Sequence, residues 1–502
     1  MLETVLQGFS QGFLELFGFS NVLFLSVGVL LGIVLGVTPG LGALIGISLV
    51  LPVIWFMEAG AGILMLIGIH AAVMTAGVVP AILMRIPGAP TNIATLADGY
   101  PMAERGEGAR ALGAALCSSA LGGIVSVVLA LLMVPLIVPL VLALGSPELT
   151  LLMLLGLSFL AALGSGEAKI KNMIAGMAGI LVSLIGIQDS TGLYRYTFGS
   201  AYLYDGVSLL LIALGVFAMA EIIDLSLQGR TTIASATDAA KVKMRDIFQG
   251  MKDVFRHWGL WFRSSVLGYI VGVIPGIGGT ISIFMAYGWG MKTSKHPEKW
   301  GKGCVEGVIA PEAANNSSVG GSVLTTLAFG VPGDSVMALI MGAFLIFGVT
   351  PGKELLTVNL NLAAMIIIGV ALANLLAVLF ILPAVSTLTK TTKLHYKYLF
   401  CILLVLITAS AFTESRDMTD IFVIIPLGII GVCMKRFGYS LACFILGFIL
   451  GGLFEHYLWM SLRIFGPFFF LSSPICIAFV LLLTGLFVLP PLKNAIRRKA
   501  KR

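Results

Sequence analysis

The sequence predicts an all-α polytopic membrane protein of two inverted-topology repeats, with broken helices or re-entrant hairpins at Pro-Gly motifs. Three observations lead there. Of 502 residues, 58% are hydrophobic and only 11% are charged, where soluble domains carry roughly 25% charged residues. Apolar runs of roughly 20 residues, long enough to cross a bilayer, recur along the chain. The same Pro-Gly pattern appears, in the same order, in each half. The 24 acidic and 31 basic residues are too few to solvate a soluble chain of this length. A soluble enzyme, a secreted disulfide scaffold and a disordered chain are excluded on that ground.

The net charge of +7 does not point to nucleic acid, because the basic residues sit in separate loops and report cytoplasmic sides. Over residues 1–19, Leu2, Val5, Leu6, Phe9, Phe13, Leu16 and Phe17 recur at helical spacing. That stripe predicts an amphipathic helix, on the membrane surface, against a partner or packed within the fold. No Lys or Arg precedes Arg85, so the basic n-region of a cleavable signal peptide is lacking. A first transmembrane repeat is expected over 20–225 and a cytoplasmic basic linker over 226–263. A second repeat over 264–490 and a basic cytoplasmic tail over 491–502 complete the chain. Full spans are predicted at 112–143, 146–163, 172–187, 203–225, 358–383, 398–412, 420–434, 438–455 and 465–490. Pro135 and Pro139 predict a kink or tilt in the first of these. Cys117, Cys304, Cys401, Cys433, Cys443 and Cys476 show no CxxC or His-paired spacing, so neither a disulfide framework nor a zinc site is implied.

Basic residues orient the spans. The linker holds Arg230, Lys241, Lys243, Arg245, Lys252, Arg256 and Arg263, and the tail adds Lys493, Arg497, Arg498, Lys499, Lys501 and Arg502. Both belong in the cytoplasm. Counting back from the tail puts Lys435-Arg436 inside, Glu414–Asp420 outside and Lys390–Lys397 inside, each in keeping with its charge. The same count puts loop 99–111 inside, its counterpart 350–357 outside, and the start of the chain outside. Equivalent loops on opposite faces define an inverted repeat, the arrangement many secondary transporters use.

The repeat itself reads Gly-Val-Thr-Pro-Gly-Leu-Gly at 36–42 and Gly-Val-Ile-Pro-Gly-Ile-Gly at 272–278. Ile86-Pro87-Gly88 follows the first copy and Val331-Pro332-Gly333 the second. Pro removes a backbone donor and Gly permits left-handed turns. At membrane depth the freed groups are tolerated only against protein or a water-lined cavity. Half-helix N-termini there favour an anion and unwound carbonyls a cation. Thr91, Asn92, Thr95 and Asp98 follow the first Pro-Gly pair, and Glu306, Glu312, Asn315, Asn316, Ser317 and Ser318 lie between the second-half breaks. Such groups mark a pathway or bond helix to helix. Ligand contact is favoured for Asn315-Asn316-Ser317, and helix bonding for Ser318 or Thr95 taken singly.

Thr-Pro-Gly-Leu-Gly (38–42), Ile-Pro-Gly-Ala-Pro-Thr (86–91) and Asp-Gly-Tyr-Pro-Met-Ala (98–103) stand in one chain with Glu-Gly-Val-Ile-Ala-Pro-Glu-Ala-Ala-Asn-Asn (306–316), Gly-Val-Pro-Gly-Asp (330–334) and Gly-Val-Thr-Pro-Gly (348–352). Together these motifs resemble the large membrane subunit of the tripartite tricarboxylate transporters, TctA-type. Two places depart from the family pattern: Thr325-Thr326, where the family has a Pro before the apolar run, and Lys353, where in the family a Pro follows Pro-Gly. The resemblance implies a cation-coupled importer of organic carboxylates in the bacterial inner membrane. Its partners would be a small membrane subunit of about four spans and a periplasmic solute-binding protein. A stand-alone anion carrier is the alternative.

On that reading, Thr91, Asn92, Asn315, Asn316 and Ser317 donate to a substrate carboxylate, with backbone amides at Gly88 and Gly333 adding to the pull. Carbonyls at Pro39-Gly40 and Pro275-Gly276, with Asp334, hold the coupling ion, Na+ or in its place H+; Asp334 alternatively caps the helix it begins. Asp98, Glu104 and Glu107 are expected in a cytoplasmic turn, and Glu306 and Glu312 either pair with Lys302 or serve a proton-coupled step. Arg85 attracts the anion or snorkels, and His70 is a packed histidine. No cofactor is expected. An enzyme is not expected either: there is no HExxH and no GxxxxGK[ST], and Val331 breaks the Gly-x-Gly-Asp pattern of intramembrane proteases.

Overall fold

The computed structural model describes residues 2–38, 40–162, 167–188, 190–228, 243–276, 278–391 and 396–485. Pro39, residues 229–242 of the expected linker and the basic tail 491–502 lie outside the described residues. The helices are α1 (Leu2–Leu16), α2 (Phe19–Val37), α3 (Gly42–Ile54), α4 (Ala59–Ala76), α5 (Val78–Met84), α6 (Ile93–Glu104) and α7 (Gly108–Ala143). Then come α8 (Ser146–Ala162), α9 (Glu167–Ser183), the two-residue strands β1 (Gly186–Ile187) and β2 (Tyr194–Arg195), and α10 (Leu209–Ala213), which continues through a π-helical turn into α11 (Ala220–Gln228). The second half has α12 (Met244–Arg256), α13 (Trp258–Val273), α14 (Gly278–Thr293), α15 (Glu306–Phe329), α16 (Ser335–Ile346), α17 (Lys353–Thr357) and α18 (Leu360–Thr391). It closes with α19 (Tyr396–Ser415), α20 (Met418–Arg436), α21 (Leu441–Phe465) and α22 (Pro474–Gly485).

Among the described residues six helical stretches are long and apolar enough to cross a membrane: Phe19–Val37, Ala59–Met84, Gly108–Ala143, Leu360–Val385, Met418–Arg436 and Leu441–Phe465. The full spans expected from sequence include neither Phe19–Val37 nor Ala59–Met84; the latter is the longer omission. That stretch carries Pro80, but Pro costs least near a helix start, and here it is the third residue of α5. Two spans also shift. Predicted span 172–187 ends in helix at Ser183, and the described part of 465–490 is a loop at 466–473 followed by α22.

The chain divides into two compact units, Met1–Val138 with Leu209–Cys433, and Pro139–Ser208 with Met434–Arg502. In the first, glycines set the helix contacts. A methyl group at Gly28, Gly32 or Gly36 would come within 2.1, 2.7 or 2.9 Å of the carbonyl oxygens of Met65, Ile69 and Val73, so only glycine lets α2 lie this close on α4. Gly268 and Gly272 play the same part between α13 and α15, where a methyl group would come within 2.4 and 2.2 Å of the oxygens of Ala314 and Ser318. The amphipathic α1 packs Gly8 and Gly12 on Leu360, Asn361 and Ala364 of α18, while Phe13 and Phe17 stay exposed. α12 packs on α7 through Gly250 and Gly113, and Asp253 takes Arg110 at 2.6 Å. In the second unit, α8 and α9 pack on α21, where Arg195 holds Glu455 by two bonds of 2.6 and 2.8 Å.

Candidate functional site

The polar centre of the first unit is built on α15. This helix runs unbroken from Glu306 to Phe329, and every residue from Gly307 to Ala328 is buried. Residues three apart on a helix share a face, while consecutive ones diverge by about 100°. Glu312 therefore shares a side of α15 with Asn315 and Asn316, three and four residues on, while Ser317 turns away from it.

Glu312 has no exposed surface. Its Oε1 accepts the Thr95 hydroxyl at 2.5 Å and the Asn92 amide at 3.3 Å, and its Oε2 accepts the Ser119 hydroxyl at 2.9 Å. The Met74 carbonyl oxygen receives two side-chain amides, from Asn92 at 3.2 Å and Asn315 at 3.3 Å. Thr91 Oγ1 donates to Met74 Sδ at 3.1 Å. Among the described residues no donor reaches the buried amide oxygens of Asn92 and Asn315. A methyl group on Gly279 would stand 3.2 Å from Thr91 and 3.5 Å from the Asn315 oxygen, so the first turn of α14 abuts both. Thr91, Asn92 and Asn315 are thus brought together at a helix N-terminus, beside Glu312.

The remaining predicted residues have other neighbours. Asn316 donates to Thr75 Oγ1 at 2.7 Å and Asn374 Oδ1 at 2.5 Å, and Ser317 to the Ser265 carbonyl at 2.6 Å, which ties α13 to α15. The Gly88 amide donates to the Gly77 carbonyl at 3.2 Å, and the Gly333 amide to Thr326 Oγ1 at 3.2 Å. Gly276 donates to the Gly333 carbonyl at 2.9 Å, joining the two second-half turns; Pro275 precedes it in the turn. Gly40 and Gly276 have φ of 93° and 77°, which suits glycine alone. Asp334 caps α16, its Oδ1 accepting from Val336 and Met337, both at 2.8 Å. Its Oδ2 lies 3.9 Å from Nε2 of the fully buried His70, whose ring nitrogens have no hydrogen-bond partner among the described residues.

Two expectations are corrected, the turn assignment of Asp98 and the pairing of Glu306 and Glu312 with Lys302. Asp98 is no cytoplasmic turn residue: it is fully buried in α6 and accepts from Gly301, Gly303 and Cys304 amides at 3.0, 2.7 and 2.9 Å and from the Tyr287 hydroxyl at 2.8 Å. Burial, with the Asp98 charge adding, pushes the Cys304 thiol up to about 12. Glu306 lies 3.9 Å from His257, and Glu312 meets hydroxyls and an amide, so neither pairs with Lys302. Arg85 is exposed, left-handed at φ 58°, and lies over the Tyr100 ring.

The family model described as "Tripartite tricarboxylate transporter TctA family" matches residues 22–446. The chain belongs to that family. This TctA-family chain is 34% identical over 439 residues to an uncharacterized 52.8 kDa protein in the TAR-I ttuC' 3' region of Agrobacterium vitis, covering 87% of this chain and 86% of that one. A second Agrobacterium vitis protein, from the TAR-II ttuC' 3' region, is 36% identical over 191 residues, covering 38% of this chain and 79% of its own length. No solved structure matches. Family and apolar helices together make this a multi-pass membrane component of a tricarboxylate transporter.

Proposed function

We propose that this chain is the large transmembrane subunit of a binding-protein-dependent secondary transporter, importing organic tri- and dicarboxylates with a cation. The observation that carries the reading is the junction of Thr91, Asn92 and Asn315 with the first turn of α14. A helix N-terminus presents unpaired amides and positive potential to an anion. Neutral side-chain amides orient a carboxylate without trapping it as an ion pair would. Unsatisfied buried polar atoms cost about 1–3 kcal/mol each, so the Asn92 and Asn315 oxygens, which only accept, gain by meeting a substrate hydroxyl or the cation that accompanies the carboxylate. Na+ is assigned to carbonyls of the Gly40 and Pro275-Gly276 turns, with Pro39 and Asp334.

Inverted repeats underlie the proposal. Aligning Pro39 with Pro275 maps Gly32 and Gly36 onto Gly268 and Gly272. Aligning Pro87 with Pro332 maps Ile69 and Val73 onto Ala314 and Ser318, the very residues those glycines contact. The same alignment maps Arg85 onto Gly330, both left-handed helix ends, and His70 onto Asn315. The domain scheme of two repeats around a cytoplasmic linker, the bacterial inner membrane, an outside N-terminus and a cytoplasmic C-terminus belong to this proposal.

The test is uptake of labelled citrate, succinate and benzoate into vesicles holding the chain and a small membrane subunit. Saturable, gradient-dependent uptake that requires added binding protein is expected. Uptake that proceeds equally without it supports a stand-alone carrier instead.

A further inference from the structure

We propose that Glu312 takes up and releases a proton during the transport cycle, so that proton movement accompanies carboxylate movement. This rests on the transport reading above and adds a coupling group to it. What carries the inference is how Glu312 is held beside three other carboxylates of the first unit, the buried Asp98 and Asp253 and the half-buried Asp334. Asp98 meets three backbone N–H groups and Asp334 meets two. An N–H only donates; Asp98 takes such donors on both oxygens, whereas both of those on Asp334 fall on Oδ1. Asp253 faces Arg110 and Arg256. Glu312 is held by the Thr95 and Ser119 hydroxyls and one amide. Hydroxyls donate or accept by rotating.

Both charge states of Glu312 are therefore satisfied in place. Ionised, it accepts from Thr95, Asn92 and Ser119. On taking a proton at Oε2 one O–H bond forms, Glu312 donates to Ser119 Oγ, and the Ser119 hydrogen turns to the carbonyl one turn earlier in α7, as helical serines do. Oε1 keeps both its donors. Release breaks that O–H bond and returns the proton to water on the other side. The titratable groups on the elements around this stretch are His70 on α4, Asp98 on α6, Arg110 and Cys117 on α7, Tyr269 on α13 and Tyr287 on α14. The facing part of α18 offers Asn374. Among the described residues none of these bonds to Glu312, and a buried carboxyl without a cation beside it marks an ion pathway.

Infrared difference spectra of the reconstituted chain, taken between acidic and alkaline buffer without substrate, read the proton directly. Against the background that the exposed carboxyls give in every variant, a further carboxylic-acid C=O band is expected in the wild type and in Asp98→Asn, absent in Glu312→Gln, and shifted in frequency in Thr95→Val and Ser119→Ala. A further band that survives Glu312→Gln, or none in the wild type, overturns the proposal. Should Glu312→Gln fail to fold, an unshifted band in both hydroxyl variants overturns it. Vesicles at equal Na+ on both sides add the coupling: Glu312→Gln is expected to exchange citrate for citrate but to lose uptake driven by a pH gradient. Wild-type gradient response in that variant also overturns the proposal. A wild type that moves no carboxylate defeats the transport reading, whatever the infrared band shows.

Discussion

Asp98 and Glu312 are both fully buried carboxylates beside α15, yet they are held in opposite ways. Asp98 gathers backbone amides of the 301–304 loop and a phenol from α14; Glu312 gathers side-chain hydroxyls from α6 and α7. Rigid donors fix a charge and the loop that supplies them. Rotatable hydroxyls leave the charge free to change. One acid anchors the fold and the other serves the transport cycle.

The largest effect expected from breaking this contrast is at the anchor. Asp98→Ala leaves three loop amides without their acceptor, at roughly 3 kcal/mol or more, read as a lower melting temperature of the purified protein. The same variant exposes Cys304, so its labelling by a thiol reagent at neutral pH accelerates; in the wild type the thiol, pushed up to about 12 by burial and Asp98, reacts slowly. Next is Gly88→Ala, whose methyl group would lie 2.1 Å from the Gly36 carbonyl and 2.5 Å from Gly77 Cα. Overpacking of this kind costs about 1–3 kcal/mol, and a melting curve matching the wild type would show that the turn relaxes. Ser317→Ala is the mildest. It removes one bond between α13 and α15, worth about 1 kcal/mol, and lowers stability more than it lowers uptake.

Much of the fold was legible. Composition and charge placement announced a multi-pass membrane protein, and the Pro-Gly copies located the helix ends at Val37, Val273 and Phe329. The site was only partly legible. Asn315, Asn316 and Ser317 read as one polar surface, but a continuous helix points them in different directions. Glu312 drew attention through nearby Lys302, whereas its partners Thr95 and Ser119 arrive from helices far away in the chain. Asp98 looked like a loop residue because Gly99 and Pro101 follow it, yet α6 continues through both. Nothing local in a sequence announces such pairings, since they depend on which helices cross.

The most direct measurement compares gradient-driven citrate uptake by wild type and Asn315→Ala, each reconstituted with the small subunit and binding protein. A bond to a charged group is worth about 1.5–3 kcal/mol, so the variant should lose roughly ten- to hundredfold in apparent affinity while inserting normally. Equal uptake kinetics for the two proteins would contradict a carboxylate site at the junction of α14, α15 and the Thr91-Asn92 turn.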